Sequence, residues 1–85
     1  MMQKRTNPLE SAIQRKIIKR YEADGYIVVK LGLTSKPGFP DLLLLKDGKA
    51  SFIEVKRPGC KPRPLQEYRI NELRNAGFDV DVLTE

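Results

Sequence analysis

The stretch GFPDLLLLKDGKASFIEVK, residues 38–56, decides the fold. It reads as two apolar strands joined at Asp47-Gly48. That dipeptide tolerates the positive φ angles a two-residue hairpin turn requires, and between apolar runs it is a strong hairpin signal. With Asp47 and Gly48 as the turn, Lys46 faces Lys49, Leu45 faces Ala50, Leu43 faces Phe52 and Asp41 faces Glu54. A four-residue loop from Lys46 to Lys49 keeps this register, whereas an odd-length loop shifts it by one and breaks every pair.

The register has a chemical consequence. Directly opposed residues on antiparallel strands have Cβ atoms about 5 Å apart. Two carboxylates at that spacing repel, and inside apolar strands neither is well solvated. Such a pair persists if a cation lies between the acids or if one carboxyl stays protonated. Lys56 follows Glu54 by two residues and projects from the same face of its strand. The hairpin thus gathers two acids and one ammonium. Hard oxygen donors with few fixed protein groups suit Mg²⁺ or Mn²⁺.

The 85 residues suffice for one small domain, 1–85, with a modest core. Hydrophobic residues at 40% and charged residues at 32% describe a globular chain. No apolar run is long enough to span a bilayer, and the N-terminus carries no signal-type apolar segment, so no membrane role is expected. The lone Cys60 cannot form an internal disulfide, which fits a reducing compartment such as the cytoplasm. Histidine is absent. That excludes Ser/His and Cys/His nucleophile pairs, His-ligated zinc and nucleases with a histidine base. The net charge of +5, despite the acidic cluster, favours a polyanionic partner. A basic surface kept for solubility is the plain alternative.

The flanking sequence supplies an α/β order of αβββαβ, one mixed β-sheet flanked by helices. Residues 1–6 form a polar arm. Asn7-Pro8-Leu9-Glu10 is a helix start, with Asn at the N-cap, Pro at N1 and Glu at N3. Leu9, Ala12, Ile13, Ile17 and Tyr21 form its buried stripe, and Gly25 ends it. Glu10 has two readings, a cap and dipole partner or a third carboxylate aimed at the cluster; sequence geometry alone favours the cap. Tyr26 to Leu31 is a strand, and Gly32 to Pro40 a loop holding Lys36. Leu42–Leu45 and Ser51–Val55 are central strands, apolar on nearly every position. A basic loop with Arg57, Lys61 and Arg63 leads to a helix opening at Pro64, with Leu65, Tyr68, Ile70 and Leu73 on its apolar side. Phe78 to Leu83 closes the sheet as a half-covered strand, parallel to the preceding one across a βαβ crossover.

These residues together resemble a known family. Helical Glu10, Pro40-Asp41, Glu54-Val55-Lys56 and a helix opening with Gln66 look like the PD-(D/E)XK nuclease superfamily, with its restriction-endonuclease-like core. Within it, Gly38-Phe39-Pro40-Asp41 with Glu54-Val55-Lys56 and Gln66 resembles the virus-type replication-repair nuclease (VRR-NUC) domain, in its stand-alone phage and bacterial form. The resemblance implies a divalent-metal nuclease. Asp41 and Glu54 would ligate Mg²⁺ or Mn²⁺ with the Val55 carbonyl, and Glu10 directly or through water. Lys56 would position the attacking water, and Gln66 would orient water or phosphate. The resemblance further implies a homodimer acting on branched DNA, including Holliday (four-way) junctions, in DNA repair, inside bacterial or phage-infected cells.

Several residues keep plain readings beside these. Lys56 can simply neutralise Glu54 by a salt bridge. Lys36, Arg57, Lys61 and Arg63 are expected to contact DNA phosphates rather than bases, or else belong to an ordinary solvated loop. Tyr26, Phe39, Tyr68 and Phe78 exceed what so small a core must use, leaving one or two for a dimer interface. Two rival classes complete the reading. One is a non-catalytic DNA-binding module with a nuclease-like fold. The other is a metal enzyme acting on another phosphoryl substrate, disfavoured because no Gly-rich phosphate loop is present.

Overall fold

A computed structural model describes residues 8–84. The expected polar arm and the Asn7 cap lie outside the described residues. Helix α1 (Pro8–Ala23) leads into strand β1 (Ile27–Lys30), then β2 (Leu42–Lys46), β3 (Lys49–Val55), helix α2 (Pro64–Asn75) and β4 (Asp79–Leu83). The four strands form one sheet in the order β1-β2-β3-β4. β1 and β2 pair antiparallel, as do β2 and β3, while β3 and β4 pair parallel across α2. The expected αβββαβ order is therefore present.

The hairpin has the register read from its turn. Lys46 faces Lys49, Leu45 faces Ala50 and Leu43 faces Phe52. Asp47 and Gly48 both take positive φ, 53° and 73°. This is the two-residue turn whose twist matches the flanking strands.

Each sheet face has its own core. Ile13 and Ile17 of α1 pack with Leu42, Leu44, Ile53 and Val55. Ile70 and Leu73 of α2 pack with Phe52 and Val80 on the other side. Alternation along β3 delivers Ile53 and Val55 to the first cluster and Phe52 to the second, so both central strands are covered twice. Two details differ from the sequence reading. On α1 the buried face takes in Gln14 and leaves Leu9 exposed. On α2 Leu65 and Tyr68 are exposed, and Ile70 and Leu73 alone are its buried residues. Among the described residues no helix is long and apolar enough to cross a membrane.

Candidate active site

Asp41 lies just before β2, where the chain enters the sheet. Hydrogen bonds from both neighbouring strands grip it. Its carbonyl accepts the Leu31 N–H at 2.8 Å, its N–H donates to the Ile53 carbonyl at 3.1 Å, and its Oδ2 accepts the Val55 N–H at 2.9 Å. Bonded to residues 53 and 55 of the neighbouring strand, Asp41 straddles Glu54, the residue that continuation of the register sets opposite it. Asp41 is 6% exposed and Glu54 1%. Lys56, 8% exposed, places Nζ 3.2 Å from Glu54 Oε2, while Glu54 Oε1 is wholly buried. Two carboxylates and one ammonium are thus removed from water together.

The loop before Asp41 is seated on α2. Arg69 donates from Nε to the Pro37 carbonyl at 2.9 Å and is itself held by Glu72 at 3.1 Å. Gly38, at φ +81°, lies so close to Leu65 that a Cβ would come within 2.9 Å of the Leu65 carbonyl oxygen. Pro37-Gly38 reads in sequence as a flexible turn; in the fold it is a contact point that only glycine fits.

Among the described residues no three acidic, histidine or cysteine side chains are grouped to hold one metal ion, so Glu10 stands off from the pair of Asp41 and Glu54 in this arrangement. Its Oε2 lies 3.9 Å from Arg57 Nε instead. That contact sets Glu10, in the first turn of α1, beside the C-terminal end of β3, the end carrying Glu54 and Lys56. Gln66 has a capping role, its Oε1 accepting the Arg63 N–H at 2.8 Å. Lys36, Lys61 and Arg63 are exposed, and Arg57 is partly buried against Glu10. One polar residue at this end of the molecule escaped the sequence reading. Gln14 is 3% exposed on α1, and as a lone amide beside an apolar stripe it gave no signal of its own.

A model of the VRR-NUC domain matches residues 14–84. The chain belongs to the VRR-NUC family. The match spans Asp41, Glu54, Lys56 and Gln66 and begins after Glu10. The chain is also 35% identical over 75 residues to "Putative nuclease p44" of Acyrthosiphon pisum secondary endosymbiont phage 1, covering 87% of this chain and 81% of that protein. Among solved structures it is similar to a VRR-NUC domain, with TM-score 0.83 and 34% identity over 93% of this chain and 87% of the other. The mixed sheet between two helices is thus the VRR-NUC fold, and the chain is a nuclease-family domain.

Proposed function

We propose that this VRR-NUC chain is a metal-dependent, structure-specific DNA endonuclease that hydrolyses phosphodiester bonds of branched DNA, four-way junctions included. The observation that supports it most is the buried trio Asp41, Glu54 and Lys56. It brings two carboxylates and an ammonium together out of water, the groups that a divalent ion and a charged phosphate would use. Their donors are hard oxygens, and the ion they suit is Mg²⁺ or Mn²⁺. Asp41, Glu54 and the Val55 carbonyl would hold it, with Glu10 contributing directly or through water. Such an ion supplies Lewis acidity and a bound water of lowered pKa, so no histidine base is needed.

The chain's own residues do the rest. Lys56, steadied by Glu54, orients the attacking water and offsets charge developing on the phosphate. Gln66 fixes the start of α2 through its oxygen and keeps its NH₂ for phosphate or water. Lys36, Arg57, Lys61 and Arg63 hold backbone phosphates. A homodimer would present two such sites to two strands of a junction. The exposed Ile27 and Val29 on edge strand β1, and the exposed Tyr68 and Phe78, supply apolar surface for it. The alternative of a non-catalytic DNA binder gains nothing from buried acids at a surface meant for phosphate.

The test is cleavage of labelled single-stranded, duplex, flap and junction DNA by purified protein, with Mg²⁺, with Mn²⁺ and with EDTA. Metal-dependent incision, fastest on the junction, is expected. No incision of any DNA with either metal refutes the enzyme reading, and equal rates on junction and duplex refute the junction preference.

A further inference from the structure

Two polar side chains near the β3 end of α1 lie wholly or partly out of water, and one of them, Arg57, has an N–H that is wholly buried with no hydrogen bond. Gln14 is 3% exposed, yet its side chain makes no hydrogen bond among the described residues. Arg57 Nε is wholly buried and makes no hydrogen bond either; its nearest acid oxygen, on Glu10, is 3.9 Å away. A buried donor left unsatisfied is costly, the more so when it is charged, as Arg57 Nε is. A methionine or leucine in place of Gln14 would join Ile13 and Ile17 at no such cost.

Both side chains lie beside Glu10. Glu10 and Gln14 are four residues apart on α1 and share a face of the helix. Helical side chains lean toward the N-terminus, so Gln14 covers the turn that holds Glu10. Glu10 in turn meets Arg57, which follows Lys56 in the chain. An amide NH₂ and a guanidinium N–H therefore gather at the end of β3 that carries the acids. Both are donors, and the guanidinium is cationic, so the missing partner is an oxygen anion.

We infer that Gln14 and Arg57 together bind a DNA backbone phosphate beside the cleavage site, Gln14 being a substrate-contacting residue of the VRR-NUC site. The assignment of the anion to DNA rests on the nuclease reading above. In the free protein Glu10 faces Arg57 at long range; on binding, the phosphate takes the Arg57 N–H and the Gln14 amide and leaves Glu10 to the acids.

The test uses the full chain, labelled with ¹⁵N, and Gln14→Met and Gln14→Glu variants. The Gln14 side-chain amide pair is assigned by its disappearance in Gln14→Met. Adding a short DNA duplex in EDTA should shift that pair and the Arg57 Nε–H resonance. Gln14→Met should keep or raise the thermal midpoint while lowering the rate of metal-dependent cleavage by ~10-fold or more. Gln14→Glu should lower it further, by repelling phosphate. An unmoved Gln14 amide, cleavage by Gln14→Met within twofold of the parent, or a rate loss that tracks a fallen midpoint would each overturn the inference. Parent protein that cuts no DNA while its Gln14 amide still shifts removes the nuclease reading and leaves the phosphate contact standing.

Discussion

Replacing Gly38 by alanine is expected to unfold much of the site's support. Two costs arise together. At φ +81° an L side chain is held in the left-handed region, which costs roughly 1–2 kcal/mol. The added Cβ would also lie 2.9 Å from both the Leu65 Cγ and the Leu65 carbonyl oxygen and 3.0 Å from its carbonyl carbon. Side chains yield to such contacts, but the Leu65 backbone is the first turn of α2 and does not. Overlap in a packed region adds about 1–3 kcal/mol, for about 2–5 in all. At about 4–8 °C per kcal/mol in a domain of this size, the midpoint should fall by at least ~8 °C. Circular dichroism melts of Gly38→Ala beside Gly32→Ala make the comparison, because a Cβ at Gly32 meets nothing within 4 Å. Cleavage should fall as well, since Asp41 is three residues downstream of the displaced contact. A Gly38→Ala midpoint equal to that of Gly32→Ala would refute the account of how this loop is seated.

Other perturbations separate the roles within the site. Lys56→Ala should abolish cleavage while leaving most DNA affinity, measured by filter binding in EDTA; a parental rate would refute its role. Lys56→Met should also destabilise by about 3–5 kcal/mol, because it breaks the buried ion pair with Glu54 from one side; Glu54→Gln added to Lys56→Met should restore the midpoint and not the activity. Asp41→Asn should retain the bond to the Val55 N–H, melt near the parent and lose metal-dependent cleavage and Mn²⁺ binding by electron paramagnetic resonance. Removing Lys36, Lys61 or Arg63 should reduce the salt slope of log K for duplex DNA by about 0.9 per contact, without changing which sequence binds. If the proposed homodimer pairs through β1, Ile27→Arg should give a species near 9.7 kDa by light scattering, and a parent protein already at that mass would refute the dimer.

What the sequence discloses of this site depends on how local its causes are. The Asp47-Gly48 turn sets the relation of Leu42–Lys46 to Lys49–Val55, because residues across a two-residue turn have no freedom to slip. Asp41 and Glu54 are brought together by that parity alone, and the chemistry of paired acids follows without any tertiary knowledge. The placement of α1 obeys no such rule. Its apolar positions allow neighbouring rotations about the helix axis, and the one adopted buries Gln14 and exposes Leu9. That choice is made by the sheet surface that Ile13 and Ile17 must cover. The same holds for α2, where Leu65 lies exposed although its Cγ and carbonyl come up against Gly38. Glu10 is the instructive residue. As a cap its environment would be its own helix, legible from three residues of sequence; in the fold it is oriented by Arg57, forty-seven positions away by number. Its chemistry is therefore set by which end of β3 the helix overlies. A residue that joins α1 to β3 is available to both a phosphate-binding arginine and a pair of acids, and binding DNA is what would shift it from one to the other.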